Sequence, residues 1–195
     1  MAQETALNTE QEAKLLALAR AAIARALGVE GTDAPPADDP AFAAKGAAFV
    51  TLTKGGRLRG CIGSLQAVES LAESVRGNAV SAALHDPRFA PLTAAELAET
   101  RIEISVLSEP EPLPYGDTAE LLAILDRDRP GLILSDGAGH RATFLPQVWD
   151  QLPNPADFLA ALCRKAGLSP DAWRCGGLRF QRYGVRHFAE GEEAA

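Results

Sequence analysis

The chain has 195 residues, with 19 Lys+Arg against 26 Asp+Glu and a formal net charge of −7. That length makes one domain or two small lobes, with enough core to fold without a metal or a disulfide. The acidic balance excludes a general binder of nucleic acid or anionic membranes. No stretch free of Asp, Glu, Lys and Arg exceeds about nine residues, half of a membrane span.

The opening MAQETALNTEQEAK has no basic start and no unbroken apolar run, so no signal peptide is expected. Thr9 and Glu12 have the spacing of a capping box. Leu15, Leu18, Ala19, Ala22, Ile23 and Ala26 then recur at helical spacing, and Gly28 is the stop. Residues 31–40 read as a loop. Residues 47–53 read as a strand, Lys54-Gly55-Gly56-Arg57 as a tight turn, and residues 58–65 as the returning strand of a hairpin. Residues 68–84 read as a helix with Leu71, Val75, Ala79, Ala82 and Ala83 inward, ended by Asp86-Pro87. Thr93 and Glu96 start a short helix, and Ile102, Ile104 and Val106 alternate on a half-buried strand.

Pro110, Pro112 and Pro114 exclude a central strand and mark the lobe boundary. Asp117 caps a helix to about residue 126. Two strands, 131–135 and 141–145, flank the turn Asp136-Gly137-Ala138-Gly139. Asn154-Pro155 opens a helix to residue 166, and Ser169-Pro170 repeats that signature. Residues 178–188 read as one last strand, with Gly184 as a bulge, and residues 189–195 as a frayed tail. The expected fold is α+β, each lobe a small antiparallel or mixed sheet with helices packed on one face. Residues 1–110 with 176–195 form the larger lobe, and 111–175 the smaller.

Arg57-Leu58-Arg59-Gly60-Cys61-Ile62-Gly63 is the most unusual stretch. Strand alternation places Arg57, Arg59, Cys61 and Gly63 on one face. Cationic neighbours favour the thiolate, the nucleophilic form of cysteine, and strand glycines permit close approach of a backbone or a ligand. The alternative is a packed core cysteine. His85-Asp86-Pro87-Arg88-Phe89 is the second such stretch. His85 is a candidate base toward Cys61 or a cap on the preceding helix. Asp86 and Arg88 are candidate binding groups, or members of an Asx-turn. His140 and Arg141 read as a solvated hairpin tip, His187 as a surface residue, and Trp149 and Trp173 as core anchors. Cys61, Cys163 and Cys175 are odd in number and have no CxxC spacing, which fits a reducing cytoplasm and gives no metal site. No cofactor motif is present.

Leu58 to Gly63 resembles the hallmark of the AMMECR domain family, whose bacterial branch takes its name from the AmmeMemoRadiSam system. Residues 46–52, Asp86-Pro87-Arg88-Phe89 with Pro91-Leu92-Thr93, residues 102–108, 131–134, 144–148 and 162–168 resemble the family in the same order. The resemblance implies a two-lobed α+β architecture with a cleft between the lobes. It implies a site at Arg59, Gly60 and Cys61, with Asp86 to Phe89 as a neighbour. It also implies a Memo-type protein and a radical S-adenosylmethionine enzyme as partners. The chain has no CxxxCxxC motif, so it is not the radical enzyme itself.

Two functions stay open. In one, the chain is an enzyme or the substrate-handling part of one, with Cys61 as nucleophile or thiol ligand, His85 as candidate base, Arg59 as an anion clamp, and Arg57, Gly60, Gly63, Asp86 and Arg88 as further binding residues. In the other, it is an adaptor that docks a peptide or a Memo-type partner, with the hairpin edge accepting an added strand.

Overall fold

The computed structural model describes residues 7–31, 33–36 and 38–191. In chain order the elements are α1 (Thr9–Ala26), α2 (Pro40–Ala43), β1 (Ala47–Lys54), β2 (Arg57–Gly63), α3 (Leu71–Leu84), α4 (Ala94–Leu97), β3 (Thr100–Leu107) and β4 (Glu111–Pro112). Then follow α5 (Thr118–Asp128), β5 (Gly131–Ser135), β6 (Arg141–Phe144), α6 (Pro155–Lys165), β7 (Arg179–Tyr183) and β8 (Val185–Ala189). Helices and two small antiparallel sheets make an α+β fold. The sheets have the strand orders β2-β1-β3-β8 and β4-β7-β5-β6.

The chain divides into two compact units. Among the described residues, Glu109–Val185 forms one, and those of 7–108 with 186–191 form the other. The first of these units begins at Glu109, beside the proline-rich segment, and ends at Val185. Residues 178–188 are not one strand. Residues up to Tyr183 pair with β5 as β7, with Leu132 opposite Arg182 and Leu134 opposite Phe180. After Gly184 the chain joins the first sheet as β8. Gly184 is therefore a switch between sheets, not a bulge.

The first unit is built on alternation. Ala48, Val50 and Leu52 of β1 and Ile102, Ile104 and Val106 of β3 are buried, in one cluster with α1 and α3 residues. The five residues expected on the inner face of α3 are all buried. In α1, Ala26 is exposed and Leu16, Ala21 and Ala24 are buried instead. The cap of α1 is Asn8 rather than Thr9. Its side chain accepts the N–H of Gln11 at 2.9 Å, and the Gln11 side chain accepts the N–H of Asn8 at 3.0 Å. Gly55 and Gly56 carry φ of 56° and 73°, the two positive values that a two-residue hairpin turn of the right twist demands.

The tail is tied where it is described. Ala189 closes β8, and the Glu190 carboxylate accepts from Arg20 and from the N–H of Ile102. Residues 192–195 lie outside the described residues. In the second unit, α6 starts at the Asn154 cap as expected. Ser169-Pro170 leads only into a 3-10 turn, Ala172–Arg174. Trp149 and Trp173 are core residues, and Trp149 stacks on Phe158 with centroids 3.8 Å apart.

Candidate functional site on the first sheet

β2 is an edge strand of the first sheet, and its pairing is irregular. Leu52 faces Gly60 and Thr53 faces Leu58, which leaves Arg59 with no partner on β1. This bulge reverses the alternation on either side of it. Cys61 faces Thr51 and Gly63 faces Phe49, while Arg57 faces Lys54. By pairing parity, Arg57 leaves the face of Cys61 and Leu58 joins it. The shared face of Arg57, Arg59, Cys61 and Gly63 expected from simple alternation is therefore not formed.

Arg59 turns to the loop and helix that follow α3. It donates to both carboxylate oxygens of Glu96 at 3.2 and 3.3 Å, and to the carbonyls of Ala90 at 2.9 Å and Pro91 at 3.4 Å. Those contacts hold the Glu96 carboxyl down to about 2, with the Arg59 hydrogen bonds as the largest cause and the Thr93 N–H next. A guanidinium so committed is an anchor for the 90–96 segment, not a free anion clamp. Gly60 answers to packing as well. A Cβ placed on it would lie 2.1 Å from the carbonyl oxygen of Ala82 in α3. Close approach is needed there by a helix backbone, not by a ligand. A Cβ at Gly63 would meet the ring of Phe49 at 2.3 Å.

Asp86 is the centre of the local electrostatics. It is buried, with 4% of its surface exposed. One carboxylate oxygen accepts the backbone N–H of Cys61 at 2.9 Å and Nη2 of Arg88 at 2.6 Å. The other accepts the N–H of Arg88 at 3.1 Å and its Nε at 2.9 Å. The first of these is the expected Asx-turn. Four donors explain how a carboxylate stays charged in a buried place. Arg88 chiefly, and the Cys61 N–H after it, hold the carboxyl far below the usual range. Arg88 is held above its own usual value, by Asp86 first and Cys61 to a lesser degree.

Arg88 Nη2 also donates to the Cys61 carbonyl at 3.2 Å. Both outward backbone groups of Cys61 are thus taken from the solvent side of the edge. The result bears on strand addition: an incoming strand meets no free donor or acceptor at Cys61. The thiol itself is half-buried and accepts the hydroxyl of Thr51 at 3.2 Å. Cys163 differs, being fully buried, and burial pushes its thiol up.

His85 caps α3, with its N–H on the Ser81 carbonyl at 2.8 Å. Its imidazole is exposed and makes no hydrogen bond to Cys61. The structure therefore brings together Cys61, Asp86 and Arg88, and leaves His85, Arg57 and Arg59 outside that cluster. It also adds residues that sequence reasoning missed. Thr51 faces Glu103 across β1 and β3 as well as Cys61 across β1 and β2. His187 of β8 lies 3.9 Å from Glu103 by Nε2 and 3.4 Å from the Ser105 hydroxyl by Nδ1. Paired residues on neighbouring strands share a face, so Cys61, Thr51, Glu103 and His187 form a polar row across the sheet. The signal available in sequence was the interruption of Ile102, Ile104 and Val106 by Glu103 and Ser105.

Among the described residues, no group of three or more His, Cys, Asp or Glu side chains is placed to hold a metal ion. No helix among them is long and apolar enough to cross a membrane.

Fold and site together define a two-unit α+β protein with a Gly-Cys edge strand clamped by an Asp-Pro-Arg turn. The chain belongs to the AMMECR1 family, whose model matches residues 16–188. It is 40% identical to a protein of Thermofilum pendens over 94% of this chain and 92% of that one. It is 39% identical to a protein of Saccharolobus islandicus over 91% of this chain and 80% of that one. The crystal structure of the uncharacterized protein PH0010 from Pyrococcus horikoshii superposes with a TM-score of 0.74 at 34% identity, over 91% of this chain and 90% of that one.

Proposed function

We propose that the chain is a binding and substrate-handling component, and that the Cys61 face of its first sheet is the surface it uses. The observation that carries this reading is the setting of Cys61. Its backbone is fixed from the edge by buried Asp86 and by Arg88, while its thiol stays half-exposed beside Thr51. A cysteine held for packing alone would be enclosed like Cys163. The family resemblance extends the proposal to a modification system in the cytoplasm, with a Memo-type protein and a radical S-adenosylmethionine enzyme as partners. Three unpaired cysteines agree with a reducing compartment.

A cysteine-based catalytic step is the second reading. The Arg88 guanidinium against Cys61 favours it, and the lack of a histidine hydrogen-bonded to the thiol weighs against it.

Alkylation followed by mass spectrometry tests the site, with exposed Cys175 and buried Cys163 as internal references. Modification of Cys61 in the folded protein at a rate between theirs supports the reading. Resistance until unfolding refutes it. Co-purification with a Memo-type partner at micromolar concentration, lost in Cys61→Ser, supports the partner assignment. In the three-protein system, binding kept by Cys61→Ala with turnover abolished would select catalysis over docking.

A further inference from the structure

An edge strand offers its outward N–H and C=O groups to any strand that comes beside it. On β2 these belong to alternate residues. The N–H of Ser64 donates inward to the Ala48 carbonyl at 3.2 Å, so Gly63 and Cys61 turn theirs outward. Residues 86–91 meet that edge at Cys61. Asp86 takes the Cys61 N–H at 2.9 Å and Arg88 donates to the Cys61 carbonyl at 3.2 Å. Two residues earlier on β2, Arg59 reaches the other way, to the carbonyls of Ala90 and Pro91. The segment is tied to β2 by its own side chains at one end and by a β2 side chain at the other.

That segment cannot extend the sheet itself. Pro87 and Pro91 carry no N–H. The N–H of Phe89 turns back to the Asp86 carbonyl at 3.1 Å, and that of Leu92 to the Ala83 carbonyl at 2.8 Å. The second unit closes its own edges by other means. Edge strand β4 is two residues long and ends in Pro112, and on edge strand β6 the Lys165 ammonium donates to the Thr143 carbonyl at 2.9 Å. Short edges, prolines, lysines and covering loops are the devices that stop edge pairing.

The two groups covered at Cys61 are those that an antiparallel partner would exchange. If two copies of β2 met about a two-fold axis, each Cys61 N–H would reach the other Cys61 carbonyl, and Arg59 would lie opposite Gly63. We propose that residues 86–91 are a built-in guard that keeps β2 from pairing with β2 of a second copy of this chain. Release of the guard turns the Cys61 edge into a dimer seam. The inference concerns the edge of the sheet and holds whether or not the Cys61 face binds a ligand.

The test uses the full chain with Cys175→Ser, so that Cys61 is the one cysteine not fully buried. The released form adds Arg59→Ala, Asp86→Ala and Arg88→Ala. Removing Asp86 together with its arginine leaves no buried charge unpaired. In sedimentation, the released form should dimerise as its concentration rises, and the guarded form should stay monomeric. Diamide gives a second readout. Two thiols form one disulfide, and their two electrons and two protons pass to the N=N bond of diamide, which becomes a hydrazine. Facing Cys61 residues would stand about 5.5 Å apart by their Cα atoms, within the span of about 4.4–6.8 Å that a disulfide bridges. Mass spectrometry should find Cys61 joined to Cys61 in the released form and not in the guarded one. A released form that is folded by circular dichroism, yet monomeric and unlinked, overturns the inference. So does a guarded form that links as readily.

Hydrogen exchange in the wild type needs no released form. The Cys61 amide should exchange about tenfold more slowly than that of Gly63, the next outward amide of the edge, which is the scale of one hydrogen bond to a charged group. Equal protection of the two overturns the inference. If the released form does not fold, this comparison decides alone.

Discussion

The two faces of the first sheet come from the same strands and have opposite tolerances. On the helix-covered face Val50, Leu52, Ile102 and Ile104 have no exposed surface, and they meet the small residues Ala79, Ala82 and Ala83 of α3. Small residues let the helix sit close, and closeness is what makes Gly60 obligatory. On the opposite face Thr51, Cys61 and Glu103 are only half-buried and interact through polar atoms. One face is decided by volume and the other by hydrogen bonding. A substitution should therefore be read by its face before its residue type.

The largest effect should come from emptying the covered face. Leu52→Ala removes a fully buried side chain, and about 2–5 kcal/mol of stability should go with it. Gly60→Ala tests the same face from the other direction. Its new methyl would strike the Ala82 carbonyl, so α3 or β2 must shift, at about 1–3 kcal/mol. Urea unfolding with unchanged m-values measures both. A Gly60→Ala protein as stable as the wild type would break the account of the Gly-Cys motif as a packing device.

Acid should act on the edge clamp before it acts on the covered core. Asp86 and Glu96 are both held below their unfolded values by arginine partners and backbone donors. Between the folded and unfolded pKa the unfolded state binds more protons, so stability rises with pH in that window. The contribution is complete above about pH 5 and is lost as pH falls through about 4 and below. Glu96 gives its share up near pH 2. Thermal midpoints measured from pH 6 to pH 2 should fall, and Asp86→Asn should flatten that fall while lowering the midpoint at pH 6. An equal slope in the two proteins would show that Asp86 is not the group that senses acid.

Much of this arrangement can be read from the sequence, and the misses share a cause. Helical spacing and capping residues are local, so α4, α5 and α6 begin where Thr93, Asp117 and Asn154 put them, while α3 starts at Leu71 behind a Ser70 cap, three residues later than expected. The error at α1 is one residue, because Asn8-Gln11 competes with Thr9-Glu12 for the same box and wins. The Asx-turn at Asp86 is local too, and it was legible. The bulge at Arg59 is not local, since it exists only relative to the register of β1, and with it went the expected cluster of arginines around Cys61. The same limit hid the partners of Asp86 on β2, the split of 178–188 between two sheets, and the row that ends in His187. Each depends on which strand lies beside which.

Residues 51 and 52 give the finest comparison, because they are adjacent in the chain and point to opposite faces. Thr51→Val keeps the volume and the β-branched shape, and removes only the hydroxyl that donates to the Cys61 sulfur. Valine suits a half-buried strand position at least as well as threonine, so part of the lost hydrogen bond should be recovered. A neutral hydrogen bond contributes about 0.5–1.5 kcal/mol, and one to sulfur belongs at the low end. Thr51→Val should therefore cost under about 1 kcal/mol, well below Leu52→Ala in the same assay. Were the two costs equal, the hydroxyl–thiol contact would be part of the structural core. The half-exposed face would then have to be treated as a second packed surface rather than as one left free for a ligand.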